Sequence, residues 1–129
     1  MYRSKNDIRA EFDSNGDKVY FGFALADSMF SFDCDISRRS LSVEEALSFV
    51  ESGVIPCFNP SHEATVFAMN SRFNINLPIP EAPPRVSLDS GDSVIVMGVR
   101  GLPRLTDRRH YSFEEIKNAT FVFTIYTVH

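Results

Sequence analysis

The segment KVYFGFAL, residues 18–25, gives the clearest indication of fold class in this chain. It is nearly continuous in apolar character and rich in β-branched and aromatic residues, which is typical of a central strand covered on both faces. The chain has 129 residues, the usual size of one domain with one core. We therefore predict a single domain, residues 1–129, with its core in residues 18–128 and an arm or marginal strand in residues 1–17.

The segments that follow this strand alternate between helix and strand signals. Residues 26–41 have no clean period, so a long connection is expected there. The run Ser42-Val43-Glu44-Glu45 is a capping box that opens a helix, and Gly53 supplies its end. Residues 53–58 predict a short strand whose Pro56 indicates an edge position or a strand end.

A second helix is expected after a tight turn. Either Asn59 or Ser61 can cap a helix that begins near His62 and runs to about Arg72. This order of strand, turn and helix places free amide groups at the carboxyl end of a strand, where α/β folds tend to bind anions.

The second half of the chain predicts the rest of the sheet. Four prolines in residues 77–84 exclude helix and central strand, so this part is expected to cross the domain in an extended form. Residues 85–88 and 93–99, on either side of a turn at 89–92, are expected to form a hairpin. A capping box at 112–115 predicts a short helix, and residues 119–128 predict the last strand. The predicted fold class is α/β, a small mixed β-sheet of about five strands with two or three flanking short helices.

Composition narrows the classes of function. The net charge of −4 means that any nucleotide binding must be local rather than driven by the overall field. Cys34 and Cys57 lack CxxC or Cys/His spacing, which indicates free thiols, no disulfide framework and no metal site. No apolar run approaches the roughly 20 residues that span a bilayer, and residues 1–17 do not resemble a signal peptide. We expect a cytoplasmic protein without a membrane partner, and the absence of GxGxxG, Walker and GxSxG motifs predicts no cofactor.

His62 is the best candidate for a chemically active side chain. A histidine in the first turn of a helix lies beside amides that attract phosphate, and it can act as a general acid. A lone histidine is also compatible with a capping or packing role. An arginine-rich run follows the strand predicted for residues 93–99 and consists of Arg100, Arg104, Arg108 and Arg109. It is compatible either with a loop that is simply solvated or with a loop that binds an anion.

The order of these parts resembles one family. The resemblance rests on Lys18-Val19-Tyr20 entering an apolar strand, Ser28-Met29 in the next loop, Ser61-His62-Glu63-Ala64-Thr65 opening a helix, Arg85-Val86, Gly91-Asp92, and Gly101-Leu102-Pro103. It covers roughly residues 18–128 and is similar to the viral anti-type-III-CRISPR ring nucleases, small dimeric α/β proteins of archaeal viruses and bacteriophages.

The resemblance implies a homodimer that encloses a cyclic oligoadenylate in the cytoplasm of an infected host cell. A ribose 2′-hydroxyl would attack the neighbouring phosphate without a metal, and His62 matches the histidine that protonates the leaving oxygen. The side chains expected to bind the ligand are Ser28, Asn59, Ser61, Arg85, Arg100 and Arg104.

Some positions depart from the family's pattern. Phe23 and Ala26 align with an asparagine and a serine, and Arg104 stands where the family has an assisting glutamate. The ligand would then be either cleaved or only sequestered. The alternative from another class is a nucleic-acid-binding or protein-interaction module that uses the loop from Arg100 to Arg109.

Overall fold

A computed structural model describes residues 17–106 and 108–129, and the arm or marginal strand predicted for residues 1–17 lies almost entirely outside them. These residues form a five-stranded mixed sheet in the order β2-β5-β4-β1-β3. The strands are β1 (Val19–Gly22), β2 (Ile36–Leu41), β3 (Ile55–Pro56), β4 (Ser93–Arg100) and β5 (Thr120–Val128). The helices are α1 (Val43–Ser52), α2 (Glu63–Phe73) and α3 (Phe113–Asn118), with short 3-10 turns at Asp27–Met29 and Pro60–His62. The predicted α/β fold class is confirmed.

The three strands β1, β3 and β4 run parallel, whereas β5 is antiparallel to both β4 and β2. The carboxyl ends of the parallel strands therefore meet at one edge of the sheet. Gly22, the last residue of β1, pairs with Val96, so β4 continues past β1 as far as Arg100.

The main core lies between the helices and one face of the sheet. Its buried members include Phe21, Ile95 and Phe123 from the strands and Val50 and Met69 from the helices. The opposite face has a second, smaller cluster, Tyr20, Leu88, Val94 and Val128, which is partly covered by Met29 and Phe30.

Local capping signals are confirmed in detail. Ser42 Oγ accepts from the Glu45 amide at 3.1 Å, and Glu45 Oε1 accepts from the Ser42 amide at 2.9 Å. The same reciprocal pair, Ser112 and Glu115, opens α3 at 3.1 and 2.8 Å. Gly53 ends α1 with a φ of 112°, a conformation that favours glycine.

Two predictions about the strands are wrong. Residues 36–41, expected to belong to a long connection, form the edge strand β2, in which only Leu41 is buried. An edge strand with one buried residue lacks the alternation that indicates a strand, and its pairing with β5 supplies the missing stability. Residues 85–88 do not pair with β4 as a hairpin, because β1 and β5 occupy both sides of β4. Leu88 instead bridges Phe30, and its amide donates to the Met29 carbonyl at 2.8 Å.

Two predicted strands are shorter than expected: the one over residues 53–58 is limited to Ile55–Pro56, and the one over residues 18–25 ends at Gly22. Pro56 lies in the edge strand β3, and residues 77–84 contain neither helix nor strand. No helix in residues 17–106 and 108–129 is both long enough and apolar enough to cross a membrane.

Candidate functional site

The connections that follow β1, β3 and β4 leave the sheet at the same edge, because these strands are parallel. Phe23 follows β1, the turn Pro60–His62 follows β3 after a short link, and Gly101 follows β4. In α/β sheets, ligands bind outside the carboxyl ends of the parallel strands. A ligand-binding site is therefore expected at this edge of the sheet.

His62 lies at the start of α2 with its side chain exposed. The cap of the preceding turn is Asn59, whose Oδ1 accepts from the Ser61 amide at 3.0 Å. His62 itself makes no side-chain capping hydrogen bond. Its ring contacts the edge of Phe23, with 4.5 Å between ring centroids, and Phe23 in turn contacts Phe58 at 5.0 Å. Asn59 therefore caps the 3-10 turn, whereas His62 occupies the N-cap position of α2 without a capping bond and packs its exposed ring against Phe23.

A cleft of about 150 Å³ opens beside His62. Asn59 and His62 are its polar lining residues among those described, and the others are Phe23, Ala24, Met29, Cys57, Pro84 and Val86. Burial raises the pKa of the Cys57 thiol to about 11, although its sulfur donates to the Phe21 carbonyl at 3.3 Å. Near neutral pH this cysteine is protonated, so it is not a thiolate nucleophile.

Apart from His62 and Asn59, the predicted site residues are exposed and do not line the cleft. Ser28 is exposed beside Met29, and Arg85 is exposed between Pro84 and Val86, so each is the sequence neighbour of a cleft residue. Ser61 is exposed in the turn that carries His62. Arg100 and Arg104 lie at and beyond the end of β4, exposed, and they do not line the cleft.

The arginine-rich loop does not act as one unit. Arg108 pairs with Glu115 of α3, and this guanidinium lowers the pKa of the Glu115 carboxyl to about 2. Within the part of the chain that the structure describes, no ion pair involves Arg100 or Arg104. Arg108 therefore fastens the loop to α3, while Arg100 and Arg104 remain candidates for contact with an anion.

Sequence reasoning missed the apolar side of the site. Phe23 departs from the family's pattern and Met29 carries no polar group, so neither is a predicted ligand-binding residue although both line the cleft. The aromatic residue that directly follows a buried strand at a ligand-binding edge is the signal that could have identified Phe23.

A larger cleft of about 360 Å³ lies between α2 and α3 and is lined by Phe67, Arg72, Tyr111 and Phe113 among others. Arg72 is engaged there as a helix cap, since its Nη1 donates to the Ile116 and Ala119 carbonyls at 2.9 and 2.6 Å. This cleft contains neither His62 nor the predicted arginines. For metals, no group of three or more His, Cys, Asp or Glu side chains in residues 17–106 and 108–129 could hold an ion.

No family model matches the chain, and no curated protein matches it either. Among solved structures, the chain is similar to B116 of Sulfolobus turreted icosahedral virus, with a TM-score of 0.63 and 19% sequence identity. The match covers 85% of this chain and 98% of that one. At this identity the likeness concerns the fold alone, so the chain shares the fold of a small viral protein.

Proposed function

We propose that this chain is a viral counter-defence protein that binds a cyclic oligonucleotide second messenger, such as cyclic oligoadenylate, at a homodimer interface. The observation that carries the proposal is that the connections holding Asn59 and His62 and the end of β4 at Arg100 all leave the sheet at the edge where the parallel strands end. The fold shared with a viral protein and the resemblance of residues 18–128 to ring nucleases support it.

The ligand's phosphates would be held by charge. Arg100 and Arg104 are exposed and have no ion-pair partner among the described residues. Guanidinium groups bind phosphate through paired, charge-assisted hydrogen bonds, each worth about 1.5–3 kcal/mol. The amides of Ser61, His62 and Glu63 already donate to Asn59 and Pro60, so the phosphate contacts in this proposal rest on the arginines.

Cleavage would need no metal. The 2′-hydroxyl of a ribose gives its proton to water as its oxygen forms a bond to the adjacent phosphorus, the bond from phosphorus to the 5′-oxygen breaks, and the protonated His62 ring donates a proton to that leaving oxygen. The cleft has no lining carboxylate among the described residues, and Arg104 occupies the position where the resemblance expects an assisting glutamate. The proposal therefore includes two modes, slow cleavage and sequestration.

The homodimer in this proposal would form through the uncovered part of the sheet. Val122 is 47% exposed and pairs with Gly98, close to the end of β4. A second copy packed on this face would create a two-fold axis, which suits a symmetric ligand. Sedimentation of the wild type should show a dimer at micromolar concentration, and Val122→Lys should shift it to monomer. A strictly monomeric wild type would remove the shared pocket.

The ligand is tested by thermal shift with cyclic di-, tri- and tetranucleotides. A ligand at a hundredfold excess over its Kd adds about 2.7 kcal/mol of stability, which is readily measured as a rise in Tm. Denaturing the complex then releases either the intact ring or a linear product, which separates sequestration from cleavage. No rise in Tm with any cyclic nucleotide would contradict the proposal.

The role of His62 is tested by His62→Ala, with His129→Ala as the matched control. His129 lies at the opposite edge of the sheet, where its ring contacts Ser37 Oγ at 2.8 Å. Loss of a general acid typically lowers the rate by about 10²–10⁴-fold, whereas binding should fall only modestly because the arginines still hold the phosphates. Single-turnover cleavage and equilibrium binding are measured side by side. A His62→Ala protein that cleaves as fast as wild type excludes the catalytic role.

A second candidate function rests on the exposed Arg100, Arg104 and Arg109, which favour a nucleic-acid-binding or interaction module. Binding to generic single or double strands that weakens steeply with salt, without any cyclic ligand, would support this alternative. Arg100→Ala and Arg104→Ala should weaken binding in either case, whereas Arg38→Ala on the far edge strand β2 should not.

A further inference from the structure

The cleft beside His62 has the chemistry of a surface for a flat, apolar ring. Phe23 contacts both Phe58 and His62, and the apolar lining of the cleft also includes Met29, Pro84 and Val86. Aromatic and thioether side chains of this kind offer polarizable contact surface to a ring stacked against them.

The same lining is unsuited to phosphate. No lysine or arginine is among the described residues that line the cleft. Transfer of a charged phosphate to a surface of Phe23, Met29 and Val86 would remove its water without supplying enough hydrogen bonds, which is costly. The cations of this edge, Arg100 and Arg104, lie outside the cleft, so phosphate and apolar group have separate places.

The cleft also has a polar rim with hydrogen-bonding capacity. Asn59 Oδ1 is used by the Ser61 amide, and among the described residues none accepts from Asn59 Nδ2. The amide nitrogen can therefore donate to a ring nitrogen or carbonyl of a ligand, and the exposed His62 ring stands at the same rim. An apolar floor with one or two polar groups at its edge matches the two kinds of surface of a nucleobase.

The size of the cleft limits what it can hold. Pockets that enclose a whole drug-sized ligand usually measure about 300–1,000 Å³. At about 150 Å³, this cleft takes one ring system and leaves the sugar and phosphate outside.

We propose that the cleft lined by Phe23, Met29, Pro84 and Val86 holds one nucleobase of the cyclic oligonucleotide, while Arg100 and Arg104 hold its phosphates. This assignment rests on the proposed function, because it names a subsite of the same ligand. Phe23 is the base-stacking residue and Asn59 the residue that contacts the base edge. The aromatic side chain that departs from the family's pattern then has a role of its own in binding.

The test fills the cleft without removing core contacts. Phe23→Ala would also remove the contact with Phe58, so the variant of choice is Ala24→Leu, which adds bulk at an exposed lining position. Ala82→Leu is the matched control, because Ala82 is exposed in the segment that supplies Pro84 but does not line the cleft. Equal Tm values for both variants and the wild type verify that the fold is kept.

Two probes are used with these proteins. Cyclic tetra-adenylate should bind Ala24→Leu about tenfold or more weakly than wild type, as expected when one stacked base is excluded, and should bind Ala82→Leu normally. The four common ribonucleosides, which carry a base but no phosphate, are added to ¹⁵N-labelled wild type at millimolar concentration. At least one should shift the amide resonances of Ala24, Met29 and Asn59, and Ala24→Leu should abolish the shift.

The outcomes separate the two proposals. If cyclic tetra-adenylate binds Ala24→Leu as tightly as wild type, the base subsite is wrong and the proposed function stands. If no cyclic nucleotide binds but a nucleoside shifts the cleft resonances, the base subsite stands and the proposed function fails. If nucleosides shift only resonances remote from the cleft, or none at all, the base subsite is overturned.

Discussion

Replacing Asp92 should destabilise the protein more than any other single loss of a charged side chain described above. Its carboxylate is buried, with a relative exposure of 0%, and it accepts from the Lys18 and Asp89 amides, each at 2.8 Å. The Lys18 ammonium lies 3.1 Å from the same carboxylate. Asp92 thus fastens the start of β1 to the turn before β4.

The magnitude follows from these contacts. Asp92→Ala leaves two backbone amides without an acceptor, and each such group costs about 1–3 kcal/mol when buried. The Lys18 ammonium loses one partner but keeps some access to water and the Asp89 carboxylate at 3.3 Å. We expect a loss of about 3–5 kcal/mol in the free energy of unfolding, most of it from these two amides because the Lys18 side chain is 27% exposed. For a domain of this size the corresponding fall in Tm is roughly 10–20 °C.

The assay is urea unfolding followed by circular dichroism, with Asp89→Ala as the control. The Asp89 side chain is 68% exposed, so losing its ion pair with Lys18 should cost no more than about 1 kcal/mol. Asp92→Asn, which keeps one acceptor oxygen, should fall between the two. If Asp92→Ala and Asp89→Ala differ by less than about 1 kcal/mol, the argument from buried hydrogen bonds is refuted.

Three further predictions concern the strand ends and the loop before α3. A Cβ at Gly22 would lie 2.7 Å from Cys57 Sγ, so Gly22→Ala should lower the free energy of unfolding by about 1–3 kcal/mol. The double variant that adds Cys57→Ala should restore most of this loss. An equal loss in the single and the double variant would contradict the clash. Because burial raises the pKa of Cys57 to about 11, iodoacetamide at pH 8 should modify it far more slowly than in the urea-unfolded chain, as peptide mass spectrometry would detect; equal rates would refute this. The Glu115 carboxyl should titrate near pH 2 by NMR, and Arg108→Ala should move its pKa back towards 4.5. Since the pKa of Glu115 is lower in the folded chain than in the unfolded one, its stabilising contribution is complete above about pH 4.5 and is lost as the pH falls towards 2; an ordinary pKa in wild type would show that the ion pair does not form.

Much of the fold could be predicted because its signals are local. The capping boxes at Ser42 and Ser112 need only residues three apart, and both form as expected. The apolar runs that become β1, β4 and β5 carry their own strand preference. His62 could be placed at a helix start for the same reason, since a strand, a turn residue and an apolar stripe determine that position.

The sequence by itself therefore determined the fold class, the helix starts and the place of His62 in the chain. Only the tertiary structure decided that residues 36–41 form β2, since five of those six residues are exposed and the hydrogen bonds of β5 hold the strand in place. It also decided that residues 85–88 lie outside the sheet, because β4 is paired with β1 on one side and with β5 on the other. The contact of Phe23 with His62 joins residues that are remote in the sequence, and no local pattern encodes it. Local rules reach about one helical turn or one hairpin, whereas strand order and the shape of the cleft depend on which distant segments compete for the same edge.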